Sequence, residues 1–313
     1  MRSQSGALIR LQHDRAAVDR FDGAGIRPED TGVVLSDSIN AHRSADASPL
    51  PAEGGDSPIC CGSAIARPPW HKIVGRDVAA FWRAGLHLGS APARWEWRDV
   101  AHAGCVIGLT GIASAADRDA RRAGERMEGP AADAIESGVR QYGEAWVLTA
   151  LAGGAYAAGL IFEEDWLRET AFLAGTSLIL TTTVTRILKI TVGRGRPYYT
   201  TDPHTFRMFS VADAYNSFPS GHSVAAFSVS AVLAHRLDNV WATVGLYSLA
   251  TLTSLSRIYA NEHWFSDVVF GALYSTAMTR TIIRWFDHEQ SSPDCAGFSI
   301  TPGAGGIMVE YRF

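Results

Sequence analysis

Apolar residues enter this chain in blocks. The first 69 residues are rich in Ser, Asp, Gly, Pro, Arg and Ala and hold no sustained period. That composition predicts a disordered polar tail, with too little apolar surface to offset the entropy of ordering. From Trp70 the pattern changes: Val74, Val78, Phe81 and Trp82 recur at helical spacing and predict a flanking amphipathic helix within residues 70–95. Six stretches without charged side chains follow: Ala103 to Ala116, Ala145 to Phe162, Ala171 to Thr185, Ser223 to Ala234, Val240 to Ser256 and Val268 to Thr279. Each reads as a helix. Only the second reaches the roughly 18 residues expected of a membrane span, so most fit buried core helices as well as spans. At the end of the chain Ile307, Val309, Tyr311 and Phe313 alternate with polar or flexible residues after a Gly303 to Gly306 turn region, which predicts one short strand in a tail covering 287–313.

Composition narrows the class. With 47% hydrophobic and 19% charged residues, the chain can bury a core yet is too polar to be embedded mostly in lipid. A net charge of -4 leaves no basic footprint, so no nucleic-acid partner is expected and any anion site must be local. Cys60, Cys61, Cys105 and Cys295 form no C-x-x-C pair and no His/Cys cluster, so neither a metal site nor a disulfide framework is indicated. The N-terminal residues carry arginine but no apolar run of signal-peptide length.

Three polar segments stand beside the ends of apolar stretches. They are Lys189 with Arg196-Pro197, then Pro219-Ser220-Gly221-His222, then Ser256-Arg257 with His263 and Asp267. If successive helices alternate in direction, Lys189 ends one, His222 opens the next, Arg257 ends the next and His263 opens the last. All four then fall on one side of a bundle, where three cations and a helix N-terminus make an anion site. Phosphate is the natural occupant. Two histidines can divide phosphoryl transfer, one attacking phosphorus and the other protonating the leaving oxygen. Asp267, at i+4 from His263, can accept from Nδ1 and leave Nε2 as the nucleophile. His222 has no carboxylate nearby in sequence and so reads as the general acid. Arg194 is a candidate auxiliary phosphate contact, and Arg186 a solvated or packing residue. The arginine-rich and acid-rich segment from Asp117 to Glu144 reads as a solvated loop that can also serve as a lid. Tyr198, Tyr199, Phe206 and Phe209 fit a substrate mouth or plain packing equally.

These segments resemble the signature of the type-2 phosphatidic acid phosphatase and vanadium haloperoxidase superfamily, K-x6-R-P, P-S-G-H and S-R-x5-H-x3-D, matched at every position. The resemblance implies an all-α fold, a bundle of about six core helices over 96–286, working as a metal-independent phosphatase through a phosphohistidine intermediate. It implies that Lys189, Arg196, Ser220, Gly221 and Arg257 bind phosphate, His263 is the nucleophile, His222 the acid and Asp267 the orienting partner of His263. No cofactor is expected, and vanadate should bind as a phosphate mimic. Substrates of the membrane members are often lipid phosphates or diphosphates, met on a non-cytosolic face such as the periplasm. The alternatives are a soluble periplasmic acid phosphatase and a vanadium-dependent haloperoxidase. No obligate protein partner is implied.

Overall fold

The computed structural model describes residues 67–291 and, as backbone, 298–303 and 306–311. All belong to one unit of the chain, Ile65–Phe313. The expected disordered tail falls outside the described residues except for its last three. Among the described residues nine α-helices run in order: α1 Trp70–Gly89, α2 Trp97–Ser114, α3 Asp117–Arg126, α4 Pro130–Arg140, α5 Ala145–Ile161, α6 Asp165–Val192, α7 Gly221–Leu237, α8 Val240–Tyr259 and α9 Phe265–Ser291. The six charge-free stretches correspond to α2 and α5 through α9, and the amphipathic pattern after Trp70 is α1. The fold is all-α, as expected. The single predicted strand is instead one arm of an antiparallel hairpin, β1 Phe298–Gly303 paired with β2 Gly306–Tyr311.

The segment from Asp117 to Glu144 departs from its reading as a loop. It forms α3 and α4, then a 3-10 turn over Gln141–Gly143. Local chemistry accounts for the helices. Asp117 and Asp119 in the first turn of α3 and Arg126 in its last complement the helix dipole, and Pro130 opens α4 where its missing N–H costs nothing.

Helix α7 is central and packs on α6, α8 and α9. One apolar cluster joins Leu173 and Ala174 of α6 to Val232 of α7 and Ile282, Ile283 and Phe286 of α9. A second joins Leu148 of α5 and Leu178 of α6 to Ala225 and Val229 of α7. Much of the remaining interior is small and polar: Ser177, Thr181, Thr185, Ser223, Ser228, Thr253, Ser275 and Thr279 are buried. Apart from that of Ser177, which has no partner, their hydroxyls are satisfied within the bundle, as where Ser228 meets Thr279 at 2.9 Å and Thr181 donates to the carbonyl of Ser177 at 2.8 Å. Small hydroxyl residues let helices approach closely.

The outside is the reverse. Ile107 and Ile112 on α2, Leu151 on α5, Ile179 and Ile187 on α6, and Val244, Leu252 and Leu255 on α8 are all exposed. By length and composition, one helix among the described residues, Asp165–Val192, can cross a membrane. Two bent pairs, Trp97–Ser114 with Asp117–Arg126 and Pro130–Gly143 with Ala145–Ile161, also qualify if each is one span.

Candidate active site

Helix ends bring the site together. Lys189 lies in the last turn of α6, which stops at Gly193, a residue in the left-handed region (φ 60°) whose N–H donates to the carbonyl of Lys189 at 2.9 Å. Glycine is required there: a Cβ would stand 1.7 Å from the carbonyl oxygen of Arg207. The stop turns the chain so that Arg196 reaches the pocket. Ser220 caps α7, accepting from Ser223 N at 3.4 Å, and this sets Gly221 and His222 in its first turn. Arg257 lies in the last turn of α8, and His263 precedes α9 by two residues. The four helix ends share one side of the bundle, as alternating helix direction predicts.

A pocket of about 290 Å³ is lined by Arg140, Glu144, Lys189, Arg196, Gly221, His222, Arg257, Glu262 and His263. Six of the eight residues singled out from the sequence line it. The other two stand behind the wall. Ser220 is fully buried, its hydroxyl engaged with Ser223 as the α7 cap, and Asp267 is buried beneath His263. Among the described residues, no group of three or more His, Cys, Asp or Glu side chains is placed to hold a metal ion.

Each cation of the pocket already has a protein partner. Lys189 donates to the carbonyl of Asn216, Arg196 to Glu262 and to Asp213 at 2.9 Å, and Arg257 to Glu136. The Nε–H of Arg196 is buried without a partner, which leaves a donor for an anion. The N-terminus of α7 has no acidic residue in its first turn, so its free N–H groups and dipole add to the positive field.

The two histidines are held differently. His263 Nδ1 lies 2.6 Å from the carbonyl oxygen of Ser217; a carbonyl can only accept, so Nδ1 carries the hydrogen and Nε2 is the free basic nitrogen. Burial is the main cause that pushes the His263 pKa down, to about 3, with Lys189 and Arg196 adding to it against the opposing pull of Asp267. The direct Asp267 to Nδ1 hydrogen bond expected from the i, i+4 spacing is not formed; the two atoms are 3.9 Å apart. Asp267 instead accepts from Ser217 Oγ at 2.5 Å, from the backbone N–H of Trp264 at 2.9 Å and from Arg194 at 2.5 Å. It therefore holds both segments that grip His263.

His222 meets a carboxylate that its sequence neighbourhood does not contain. Glu144 Oε1, from the turn before α5, stands 3.3 Å from His222 Nε2. Burial lowers the His222 pKa most, and Glu144 works in the opposite direction.

Arg194, the candidate auxiliary phosphate contact, does not line the pocket. It is buried, with Nε on the carbonyl of Pro203 at 2.8 Å and its two terminal nitrogens on Asp267, Ser266 and Asp117. Asp117 is itself fully buried and also accepts from Ser266 N at 2.8 Å, tying α3 to the start of α9. Arg186 is exposed, and Tyr198, Tyr199, Phe206 and Phe209 are exposed outside the pocket lining. Sequence reasoning missed Glu136, Arg140, Glu144 and Glu262 because nothing local separates them from surface charges.

Residues 170–291 match the family model described as PAP2 superfamily, a segment that contains all three motifs. A lipid A 1-phosphatase of Porphyromonas gingivalis is 43% identical over 61 residues, which is 19% of this chain and 14% of that protein. A lipid A 1-phosphatase of Rhizobium etli is 31% identical over 104 residues, 32% of this chain and 43% of that protein. The chain thus spans less than half the length of either curated relative. Among solved structures, the transmembrane PAP2 type phosphatidylglycerolphosphate phosphatase from Bacillus subtilis aligns with a TM-score of 0.45 at 18% identity, covering 60% of this chain and 97% of that one. LpxE of Aquifex aeolicus aligns with a TM-score of 0.39 at 21% identity, covering 52% of this chain and 92% of that one.

Proposed function

From the premise that residues 170–291 carry a PAP2 superfamily domain, we propose that this chain is a phosphoric ester hydrolase acting on lipid phosphates or diphosphates at a membrane. The observation that carries the reading is the pocket itself: Lys189, Arg196 and Arg257 around the start of α7, with His222 and His263 in the same wall. Both curated relatives are lipid A 1-phosphatases, which favours a lipid-borne phosphate. The exposed apolar residues of α2, α5, α6 and α8 favour membrane contact, because water-facing surfaces rarely gather so much apolar area.

In the proposed reaction the three cations and the first N–H groups of α7 hold the non-bridging oxygens and offset charge that builds as the bond to phosphorus lengthens. His263 Nε2 attacks phosphorus in line with the leaving oxygen. The bond from phosphorus to that oxygen breaks while His222 gives it a proton, leaving a phosphohistidine and a free alcohol or phosphate. Water then attacks the phosphohistidine, His222 takes the water's proton, and inorganic phosphate leaves as His263 is restored. Asp267 acts by positioning. No metal enters these steps, and vanadate should compete with substrate as a mimic of the five-coordinate transition state. We place the pocket on the non-cytosolic side.

The test is phosphate release in EDTA from matched lipid and soluble phosphates by the detergent-solubilised full chain and by His263→Ala. Metal-independent release that prefers lipid and is lost in the variant is expected. Equal turnover by the variant would overturn the phosphohistidine route, and a preference for soluble esters would overturn the lipid assignment.

A further inference from the structure

We propose that Glu144 is a positioning residue for His222, holding one ring nitrogen so that the other presents its proton to the leaving oxygen. This rests on the phosphatase reading of the pocket. Of the carboxylates in and around the site, Glu136 and Glu262 are hydrogen-bonded to arginines, and Asp267 is spent on Arg194, Ser217 and Trp264. Glu144 is different: its distance to Arg140 is 3.8 Å, and its nearer basic neighbour is His222 at 3.3 Å.

The backbone is shaped around this approach. The Gln141–Gly143 turn presses so closely on the ring that a Cβ on Gly143 would stand 2.8 Å from His222 Cβ and 2.9 Å from its Cδ2. Only glycine permits that contact, and the next residue is Glu144. His222 Nε2 is buried and lacks an aligned hydrogen-bond partner, so a small rotation of the Glu144 carboxylate would satisfy it. Protonated His222 would then donate at both nitrogens, to Glu144 and to the departing oxygen, and pass the second proton as the bond to phosphorus breaks. The acid would thus have a carboxylate behind it, while the nucleophile has a carbonyl.

The remaining charged groups around His222 are Arg140 on α4, Lys189 on α6, Arg257 on α8, and Arg196, Glu262 and His263 from the connecting segments. Most are cationic and disfavour the imidazolium. Among the described residues Glu144 is the one negative group in contact with the ring, so removing its charge should make His222 release its proton at lower pH.

The experiment uses the full chain in detergent as wild type, Glu144→Gln and Glu144→Asp. The alkaline limb of kcat/KM should move to lower pH in Glu144→Gln by about half a unit to one unit, with near-wild-type rates in acid. Glu144→Asp, which keeps the charge, should leave the limb close to its wild-type position. An unmoved limb, or an equal loss at every pH, would overturn the proposal. In parallel, NMR titration of the histidine Cε1 signals, with His222 assigned by His222→Gln, reads the same ionisation without turnover. A His222 midpoint that does not fall in Glu144→Gln would overturn the pairing even in a chain that releases no phosphate. Absence of release from wild type alone would instead overturn the phosphatase reading.

Discussion

Nδ1 of His263 stands 2.6 Å from the carbonyl oxygen of Ser217, while the Asp267 carboxylate one helical turn on is 3.9 Å away. The tautomer that frees Nε2 is thus set by backbone, and the carboxylate acts one layer back, on the Ser217 hydroxyl and the Trp264 N–H. Ser217→Ala removes the hydroxyl but keeps the carbonyl, so kcat should fall about tenfold or less. Asp267→Asn puts an amide among three donors with at most one oxygen to offer them, and should cost about 10²- to 10⁴-fold in kcat through the loosened imidazole. Steady-state kinetics beside thermal unfolding checks this. Equal damage from the two substitutions would contradict the layered arrangement.

The pH dependence follows from the two histidines. His263 must be neutral to attack, and with its pKa pushed down to about 3 by burial it is neutral above that value. His222 must be protonated to act as acid, and burial sets its pKa below the ordinary 6.5, so its contribution is lost as pH rises through that lowered value. Activity in kcat/KM, which reports the free enzyme, should therefore peak on the acid side, below pH 6.5. A profile from pH 3 to 9 decides it, and an optimum above about pH 8 would show that at least one role is misassigned.

Arg194 and Arg196 are two residues apart and should fail differently. Arg194 sits between Asp117 and Asp267, both fully buried, at 2.7 and 2.5 Å. Arg194→Ala leaves two buried carboxylates short of a partner and should cost about 3–5 kcal/mol of stability. Arg196 lines the pocket, and Arg196→Ala should leave the unfolding midpoint nearly unchanged while raising KM and lowering kcat. Denaturant unfolding of both variants separates the cases. A stable but inactive Arg194→Ala chain would return Arg194 to the list of phosphate ligands.

This contrast also shows how much could be read from the chain alone. Lys189, His222, Arg257 and His263 were legible because each is a polar residue at the edge of an apolar helix, and helix alternation alone gathers them. Arg194 carries the same local signal as Arg196, and only the burial of Asp117 beside it decides its role. Glu136, Arg140 and Glu144 sit in a segment of mixed charge that looks the same whether it faces water or a pocket. The hydropathy of the helices is an average over two unlike faces. Ser177, Thr181, Ser228 and Thr279 face inward and dilute the apolar count, while Ile107, Leu151, Ile187 and Leu252 face outward, so a composition average hides an apolar exterior.

Two glycines, one in the α4 to α5 turn and one inside α5, give a paired test of how the site is built. Gly143 packs where a Cβ would lie 2.7 Å from Thr253 Cγ2 and 2.8 Å from His222 Cβ, whereas Gly153, inside α5, has nothing within 4 Å. Gly143→Ala must displace the Thr253 methyl together with either the His222 side chain or the turn that carries Glu144, and overpacking of this kind costs about 1–3 kcal/mol. Because the displaced group is the acid and not the phosphate cage, kcat should fall by tenfold or more with KM changed far less. Gly153→Ala replaces an open helical glycine and should leave kinetics unchanged while stabilising by up to about 1 kcal/mol. Both are read by paired kinetics and thermal unfolding on the same preparation. If Gly143→Ala keeps the wild-type kcat, the turn tolerates the methyl group without moving His222, and the close contact between them has no part in placing the acid.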